Sequence, residues 1–511
     1  MLLRPTRRNF LASTAAATLA ASASSAPARP KRKPNLLFIW TDEQRADTID
    51  VYGNTRIQSP NLSKLAAESI VFENAYVSQP VCTPSRSTVL TGLWPHQNGC
   101  RQNNIALSYD VPAFPKLVDD PDYRSGYFGK WHLGDEIFAQ HGFEEWRSIE
   151  DGYWRYYRED RDITKNSDYA AWLVSQGHTP TEDRGGFSRN YAASLPIEQC
   201  KPKFLELEAC DFLRRHRDEP FILHVNFLEP HMPFTGPLND LHGLDEVALP
   251  ANHNDPLEEN EPLSYRMRSE KYKGIYTGDL DLATEAGWRR LIANYWGLVS
   301  QVDRSVGAIL ATLEELGLAE DTIVVYTSDH GDMMGSHKLV EKGYMYEEAM
   351  RVPWLIRYPR FQRRHEVLKG RFSHIDLVPT LLDLMGAAVP DTLPGKSLVP
   401  RMKGARIADQ PVFVEWNAPE TMGEGRNPAG ATRDATQTSG PHSRTIISPD
   451  GWKLTLNVGD SSQLFYLRED PGDTTNLIDR DEHRPVVQRL TAELRAWQDR
   501  TGDTLELPDL A

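Results

Sequence analysis

Cysteine is scarce in this chain. Four of its 511 residues are cysteines, Cys82, Cys100, Cys200 and Cys210, too few for a disulfide scaffold of this size. Cys200 and Cys210 could pair in an oxidising compartment, and the sequence does not decide whether they do. Long apolar runs are also missing. Past residue 30 no stretch has the roughly 20 apolar residues of a membrane span, so no span is expected in the mature chain. Positive charge is in deficit, with 57 Lys and Arg against 72 Asp and Glu and a net charge of −15. Duplex nucleic acid is bound through basic patches, so nucleic acid is not an expected partner. An anionic substrate would need a local basic pocket to overcome the overall field.

The chain does have a leader. Thr6-Arg7-Arg8-Asn9-Phe10-Leu11 is a twin-arginine pattern, an Ala/Ser-rich stretch runs to Ala26, and Ala26-Pro27-Ala28 offers a small-residue cleavage site. Residues 1–28 are thus expected to be a twin-arginine (Tat) signal peptide, and the mature protein to be periplasmic or secreted by a bacterium. The remainder is too long for one ordinary core. Continuous apolar runs at Asn35–Trp40, Phe221–Phe227, Thr322–Tyr326 and Val352–Ile356 suit strands covered on both faces. Helical patterns lie between them: Phe204, Leu207 and Leu213, then Leu298, Val302, Val306, Leu310 and Leu313. Ser59-Pro60-Asn61-Leu62 reads as a helix start capped by Ser59. This alternation predicts an α/β fold with a large mixed, mostly parallel sheet sandwiched by helices over 33–400. From Arg444 on, short strand-like runs are separated by turns such as Pro449-Asp450-Gly451, and a helix follows from about Arg484 to Arg500. A smaller C-terminal α+β subdomain on an antiparallel sheet is expected over 401–511. Segments 145–200 and 232–285 read as long surface insertions, where substrate-specific loops sit. Tyr153, Trp154, Tyr156 and Tyr157 are candidates there for stacking on sugar rings.

Three predicted strands end in reactive groups: Thr41-Asp42-Glu43, Glu229-Pro230-His231 and Ser328-Asp329-His330. In open α/β sheets ligands bind at the carboxyl ends of strands. Carboxylates and an imidazole converging there would form a hard-cation site for Ca²⁺, Mg²⁺ or Mn²⁺. In Cys82-Thr83-Pro84-Ser85-Arg86, Pro84 suits the first turn of a helix that Gly92 would end. That places Cys82 at a helix N-terminus, which attracts anions.

Cys82-Thr83-Pro84-Ser85-Arg86 resembles the Cys-x-Pro-x-Arg signature of the type I, formylglycine-dependent sulfatases of the alkaline phosphatase superfamily. Further blocks follow in the family's order. Gly129-Lys130-Trp131-His132-Leu133-Gly134 is similar to the second signature, Asp42 to the N-terminal metal ligand, and Asp329-His330-Gly331 to the C-terminal pair. Lys342-Gly343 with Tyr346-Glu347 is similar to the distal lysine block. The tail around Trp452-Lys453-Leu454 and Leu464 to Leu467 is similar to the family's small C-terminal sheet. Two positions depart from the commonest pattern. Glu43 stands where a second Asp is usual, so it would reach the cation at another angle, through water or not at all. His330 stands where the animal arylsulfatases often carry Asn.

The resemblance implies a sulfuric ester hydrolase with Cys82 converted to formylglycine by the formylglycine-generating enzyme before export. A metal site of Asp42, Glu43, Cys82, Asp329 and His330 would hold Ca²⁺, with Mg²⁺ or Mn²⁺ as alternatives. The aldehyde hydrates to a gem-diol, one hydroxyl of which attacks sulfur. Lys130 and Lys342 would clamp the sulfate, Arg86 would orient the hydrated aldehyde, His231 would protonate the leaving oxygen, and His132 would deprotonate the second hydroxyl. The expected substrate is a sulfated small molecule or saccharide. Two competing readings are a phosphonate monoester or phosphodiester hydrolase using the same site, and a non-catalytic carbohydrate-binding pseudoenzyme with Cys82 unmodified.

Overall fold

In the computed structural model the apolar runs become the middle of one large sheet. Residues 32–510 are described, except 154–160, 163, 256, 258, 276–277, 362–364 and 419–440. The expected leader and Trp154, Tyr156 and Tyr157 lie outside the described residues. In chain order the strands are β1 (Asn35–Asp42), β2 (Ile70–Tyr76), β3 (Arg124–Gly129), β4 (Glu145–Arg147), β5 (Phe221–Pro230), β6 (Thr322–Ser328), β7 (Arg351–Val352), β8 (Trp354–Arg357) and β9 (Glu366–Ser373). They lie in the order β4-β3-β5-β1-β6-β8-β2-β7, with β9 also paired to β2. Strands β4, β3, β5, β1 and β6 run parallel, while β8 is antiparallel to both β6 and β2.

All eight residues of β1 are buried, and its alternation shows why the run is continuously apolar. Leu37 and Ile39 point to one face, against the helices Pro60–Ala67, Lys201–Arg215 and Glu285–Glu315. Leu36, Phe38 and Trp40 point to the other, against Cys82–Thr91, Phe114–Val118 and Leu377–Met385. Successive side chains of a strand face opposite ways, so a strand covered on both sides has no polar face.

Two local expectations are corrected, and the open question of a Cys200–Cys210 pair is answered. The run Val352–Ile356 is not one strand. Pro353 has no N–H to donate to a ladder, and the chain breaks there into β7 and β8. Ser59 does not cap its helix through its side chain; its hydroxyl donates to Thr48 O at 3.4 Å. The cap comes from Asp303 on the long helix, which accepts from Leu62 N at 2.7 Å and Asn61 Nδ2 at 2.8 Å, and a carboxylate is the stronger acceptor. Cys200 and Cys210 are free thiols. Cys200 caps the helix Lys201–Arg215 and Cys210 lies inside it. At a rise of about 1.5 Å per residue, ten residues hold them roughly 15 Å apart, beyond the reach of a disulfide.

The second sheet is the expected meander with one strand added in front: β10 (Val412–Trp416), β11 (Ser443–Ile447), β12 (Trp452–Asn457) and β13 (Gln463–Tyr466), all antiparallel. The helix Arg484–Thr501 closes one face, packing Val487, Leu490, Leu494 and Trp497 on Phe413, Ile446, Leu454, Leu456 and Leu464. The other face packs Val412, Val414, Ile447 and Phe465 against Tyr344, Met345, Tyr346 and Met350. Both sheets belong to one unit, Lys33–Ala511. Among the described residues no helix is long and apolar enough to cross a membrane.

Leu490 is fully buried between this helix and its sheet. Leu490→Ala is expected to destabilise the protein by about 2–5 kcal/mol, measured as a lower midpoint of chemical denaturation.

Candidate active site

Parallel pairing brings the reactive groups to one edge. In the β1–β6 register Thr41 lies opposite Ser328, and in the β1–β5 register Asp42 lies opposite Pro230. The residues that follow these strands, Glu43, His231, Asp329 and His330, therefore leave the sheet side by side. Strand β3 runs beside β5 and ends with Gly129 opposite Asn226, which delivers Lys130 to the same edge. Gly129 has φ +119°, and a Cβ there would lie 1.8 Å from Asn226 O, so only glycine permits this approach.

The helix Cys82–Thr91 starts at Cys82, has Pro84 in its first turn and ends at Gly92 with φ +70°. All ten of its residues are buried. Its positive N-terminal end therefore faces the sheet edge. Cys82 Sγ is 3.3 Å from His330 Nε2, 3.7 Å from Asp42 Oδ1 and 3.8 Å from Lys130 Nζ.

Arg86, one helical turn on, ties the edge together. Its Nη2 donates to Asp42 Oδ2 at 2.6 Å, and its Nη1 to Asn226 Oδ1 at 2.7 Å and Lys130 O at 2.8 Å. Nε lies 2.8 Å from Asp329 Oδ2, and the guanidinium sits over the Trp40 ring at 4.9 Å. Lys130 Nζ donates to Asp42 Oδ2 at 2.5 Å. All of these side chains are fully buried. Burial opposes ionisation of Asp42, but Lys130 and Arg86 hold its carboxyl well below the usual range.

Asp42, Cys82, Asp329 and His330 form one buried donor group, and Asp42, Glu43 and His231 a second; within each, the ligand atoms all lie within 4.8 Å of one another. Burial opposes a proton on His330, yet Asp329 and Cys82 raise its pKa to about 9, evidence of a negative potential where the four donors meet. Two carboxylates, an imidazole and the group at residue 82 suit a hard divalent cation. Glu43 belongs to the second group. Its carboxylate accepts from Lys342 Nζ at 2.6 Å and is 3.5 Å from His231 Nε2, while its backbone N–H donates to Asp329 Oδ1. Burial and the neighbouring Glu341 push the Glu43 carboxyl up.

The two predicted histidines are also at the edge. His132, at φ +57°, is held by Glu136, which accepts from the backbone N–H of Trp131 and of His132 at 2.9 and 2.6 Å. Its Nε2 is 3.2 Å from Asn104 Oδ1 and its ring stacks on Tyr153 at 4.2 Å. His231 Nδ1 is 3.0 Å from Met232 O. Burial, then Lys130 for His132 and Lys342 for His231, push both imidazoles well down. Burial and Asp42 raise the Cys82 thiol while Lys130, Lys342 and His330 lower it, and the net shift is downward.

The structure thus brings all the predicted site residues to one edge. Sequence reasoning missed their supports: Asn226, Asn104 and Glu136. Asn226 lies inside an apolar run, and a buried Asn within a strand was the available signal. Glu136 lies six residues after Lys130, where a carboxylate in a Gly-rich loop does not stand out.

The sulfatase family model matches residues 34–387. The chain is 29% identical to the uncharacterized sulfatase YidJ of Escherichia coli over 485 residues, covering 92% of this chain and 88% of that one. It is 26% identical to an N-acetylglucosamine-6-O-sulfatase of Bacteroides thetaiotaomicron over 571 residues, 99% and 94% of the two chains. Its fold matches that of a phosphonate monoester hydrolase from Silicibacter pomeroyi with a TM-score of 0.74 at 23% identity, over 92% and 96% of the two chains. With a family match over most of its length and a cationic, acid-lined edge around Cys82, the chain belongs to the sulfatase family of the alkaline phosphatase superfamily and is a sulfuric ester hydrolase.

Proposed function

We propose that this enzyme removes sulfate from sulfated carbohydrates outside the cytoplasm, using a formylglycine at position 82 beside a divalent cation. One observation carries this reading: Cys82 Sγ lies within 3.3–3.8 Å of His330, Asp42 and Lys130, so a diol there would be in reach of both acid and cationic groups. Asp42, Asp329, His330 and residue 82 would hold the cation, which when bound would supply the Lewis acidity that makes a hydroxyl of the hydrated formylglycine nucleophilic at neutral pH. The carbohydrate class is supported by the N-acetylglucosamine-6-O-sulfatase relative and by the twin-arginine leader.

The chain's own groups fit the remaining work. Lys130 and Lys342 flank residue 82 and supply fixed positive charge for the sulfate oxygens. Arg86 donates hydrogen bonds through Nη1 and Nη2 and has Nε in ion-pair contact with Asp329, so it is positioned before substrate arrives. His132, neutral because it is buried beside Lys130, is suited to accept a proton. His231 suits the leaving-group side. An incoming anionic ester offsets the field of Lys342 and Lys130, which raises the proton affinity of His231 when a general acid is needed. Glu43 extends from the Asp42 strand end to hold Lys342. The second reading, phosphonate monoester or phosphodiester hydrolysis, has in its favour the shared fold with a phosphonate monoester hydrolase and His330 at the metal edge.

When the protein is made in a host able to install formylglycine, the peptide containing residue 82 should be lighter by sulfur plus two hydrogens less one oxygen. Aryl sulfate hydrolysis should exceed aryl phosphonate ester hydrolysis by about 100-fold. An unmodified thiol in active enzyme, or the reverse preference, overturns the reading.

Chelation of divalent ions should lower turnover by about 100-fold, with recovery on adding Ca²⁺, Mg²⁺ or Mn²⁺; full activity in metal-free enzyme refutes a cation-assisted step.

Arg86→Lys keeps a charge but cannot span Asp42, Asp329, Asn226 and Lys130 O together. It should reduce kcat by about 100-fold, as measured by steady-state kinetics.

A further inference from the structure

Beside His231 a narrow cleft opens, lined by Arg189, Lys201, Leu228, Glu229 and Gln301 among others. None of these five residues has a role in the chemistry at residue 82. One wall comes from the insertion 145–200, where Arg189 begins the short helix Arg189–Ala193.

Glu150 is buried and shared between two cations. Its Oε2 accepts from Arg189 Nε at 2.8 Å and Nη2 at 2.5 Å, and its Oε1 from Lys201 Nζ. Lys201 also pairs with Glu150, so this carboxylate does not belong to Arg189 alone. Burial opposes charge on Glu150, but Arg189 and Lys201 bring its pKa down to about 2, so it stays ionised. Burial pushes the Glu229 carboxyl, also on this wall, up to about 7.

Arg189 is placed to use its charge. Its side chain is 25% exposed, against 0% for Arg86. Its Nη2 also donates to Tyr153 OH at 2.8 Å. Among the described residues, Nη1 has only the soft Met232 Sδ at 3.9 Å, a weak acceptor for a charged donor. The Tyr153 ring that anchors Arg189 also carries His132 on its face and lies 5.9 Å from Lys130 Nζ. The guanidinium thus stands one aromatic ring away from the sulfate-clamping lysine, on the wall shared with His231.

Resting on the sulfatase reading above, we propose that Arg189 is a specificity-determining residue that binds a second anionic group, a carboxylate or a further sulfate, on the sugar being desulfated. The preferred substrate is then a sulfated saccharide with at least one additional negative charge. In a protein of net charge −15, such a substrate needs a dedicated cation at each anionic group, and the cleft provides one beyond the lysines of the sulfate site.

Two matched substrate pairs test this. In one, glucosamine 6-sulfate carries either an N-sulfate or an N-acetyl group; in the other, a 2-sulfated hexuronate carries either its free carboxylate or the methyl ester. Wild-type enzyme with formylglycine installed should favour the charged member of one pair by about 10- to 100-fold in kcat/KM, chiefly through KM. The pair that shows this preference identifies the anion as sulfate or carboxylate. Arg189→Ala should bring that ratio close to one, and Arg189→Lys should keep part of it. The ratio is taken within each variant, so partial loss of folded enzyme cancels. Equal rates on both members of both pairs, or a ratio that persists in Arg189→Ala, overturns the assignment to Arg189 while leaving the sulfatase reading intact. Failure to cleave any member of either pair overturns the saccharide reading and this inference with it.

Discussion

The structure depends on burying an ion cluster at the carboxyl edge of the sheet. Arg86, Lys130, Asp42 and Asp329 are fully buried. Each such charge costs several kcal/mol to desolvate and is tolerated only when paired and hydrogen-bonded. Arg86 meets this requirement for the whole edge, because its planar fork reaches β1 through Asp42, β5 through Asn226, the turn after β3 through Lys130 O, and the turn after β6 through Asp329. Loss of the Asp329 arm would leave that buried carboxylate without its guanidinium, whereas Asp42 would keep Lys130. The parallel order β3-β5-β1-β6 is thus held at its active edge by a residue of the signature helix as well as by its backbone ladders.

The same edge carries unusual backbone. Glu43, His132 and Glu341 all have positive φ without being glycine, a conformation costing of order 1 kcal/mol or more each. Each is held by neighbours. Glu43 is fixed through its backbone by Asp329 and Tyr295, and His132 by Glu136. Glu341 donates its N–H to Asp332.

How much of this was legible in the sequence depended on the range of the interaction. The central strands were readable because burial on both faces leaves Asn35–Trp40, Phe221–Phe227 and Thr322–Tyr326 with no polar side. Strands β2, β3, β4 and β9 were missed. Arg124–Gly129 has only two large apolar residues, and its glycines serve packing against β5 rather than strand propensity. Glu366–Ser373 carries Lys369, Gly370 and Arg371 because part of it is exposed. The site residues were legible through local motifs such as Cys82 to Arg86. Their supports were not, since Asn226, Asn104 and Glu136 act through contacts set by the fold. The cap on Pro60–Ala67 shows the same limit: the local rule named Ser59, but Asp303, some 240 residues away in sequence, makes the bonds.

Charge distribution links the fold to the chemistry. An acidic chain repels sulfated sugars at long range, so recognition must be local and buried, where screening by salt and water is weak. Around residue 82, Arg86, Lys130 and Lys342 face Asp42, Asp329 and Glu341, with Glu43 biased toward its neutral form by burial. This arrangement is close to balance before anything binds. A divalent cation would add two positive charges and a sulfate ester one negative charge, so the cation-loaded edge attracts the ester and each ligand is held better with the other present. The edge is therefore complementary to a loaded site, and the pairing of Lys130 with Asp42 and of Lys342 with Glu43 keeps both lysines in place until then.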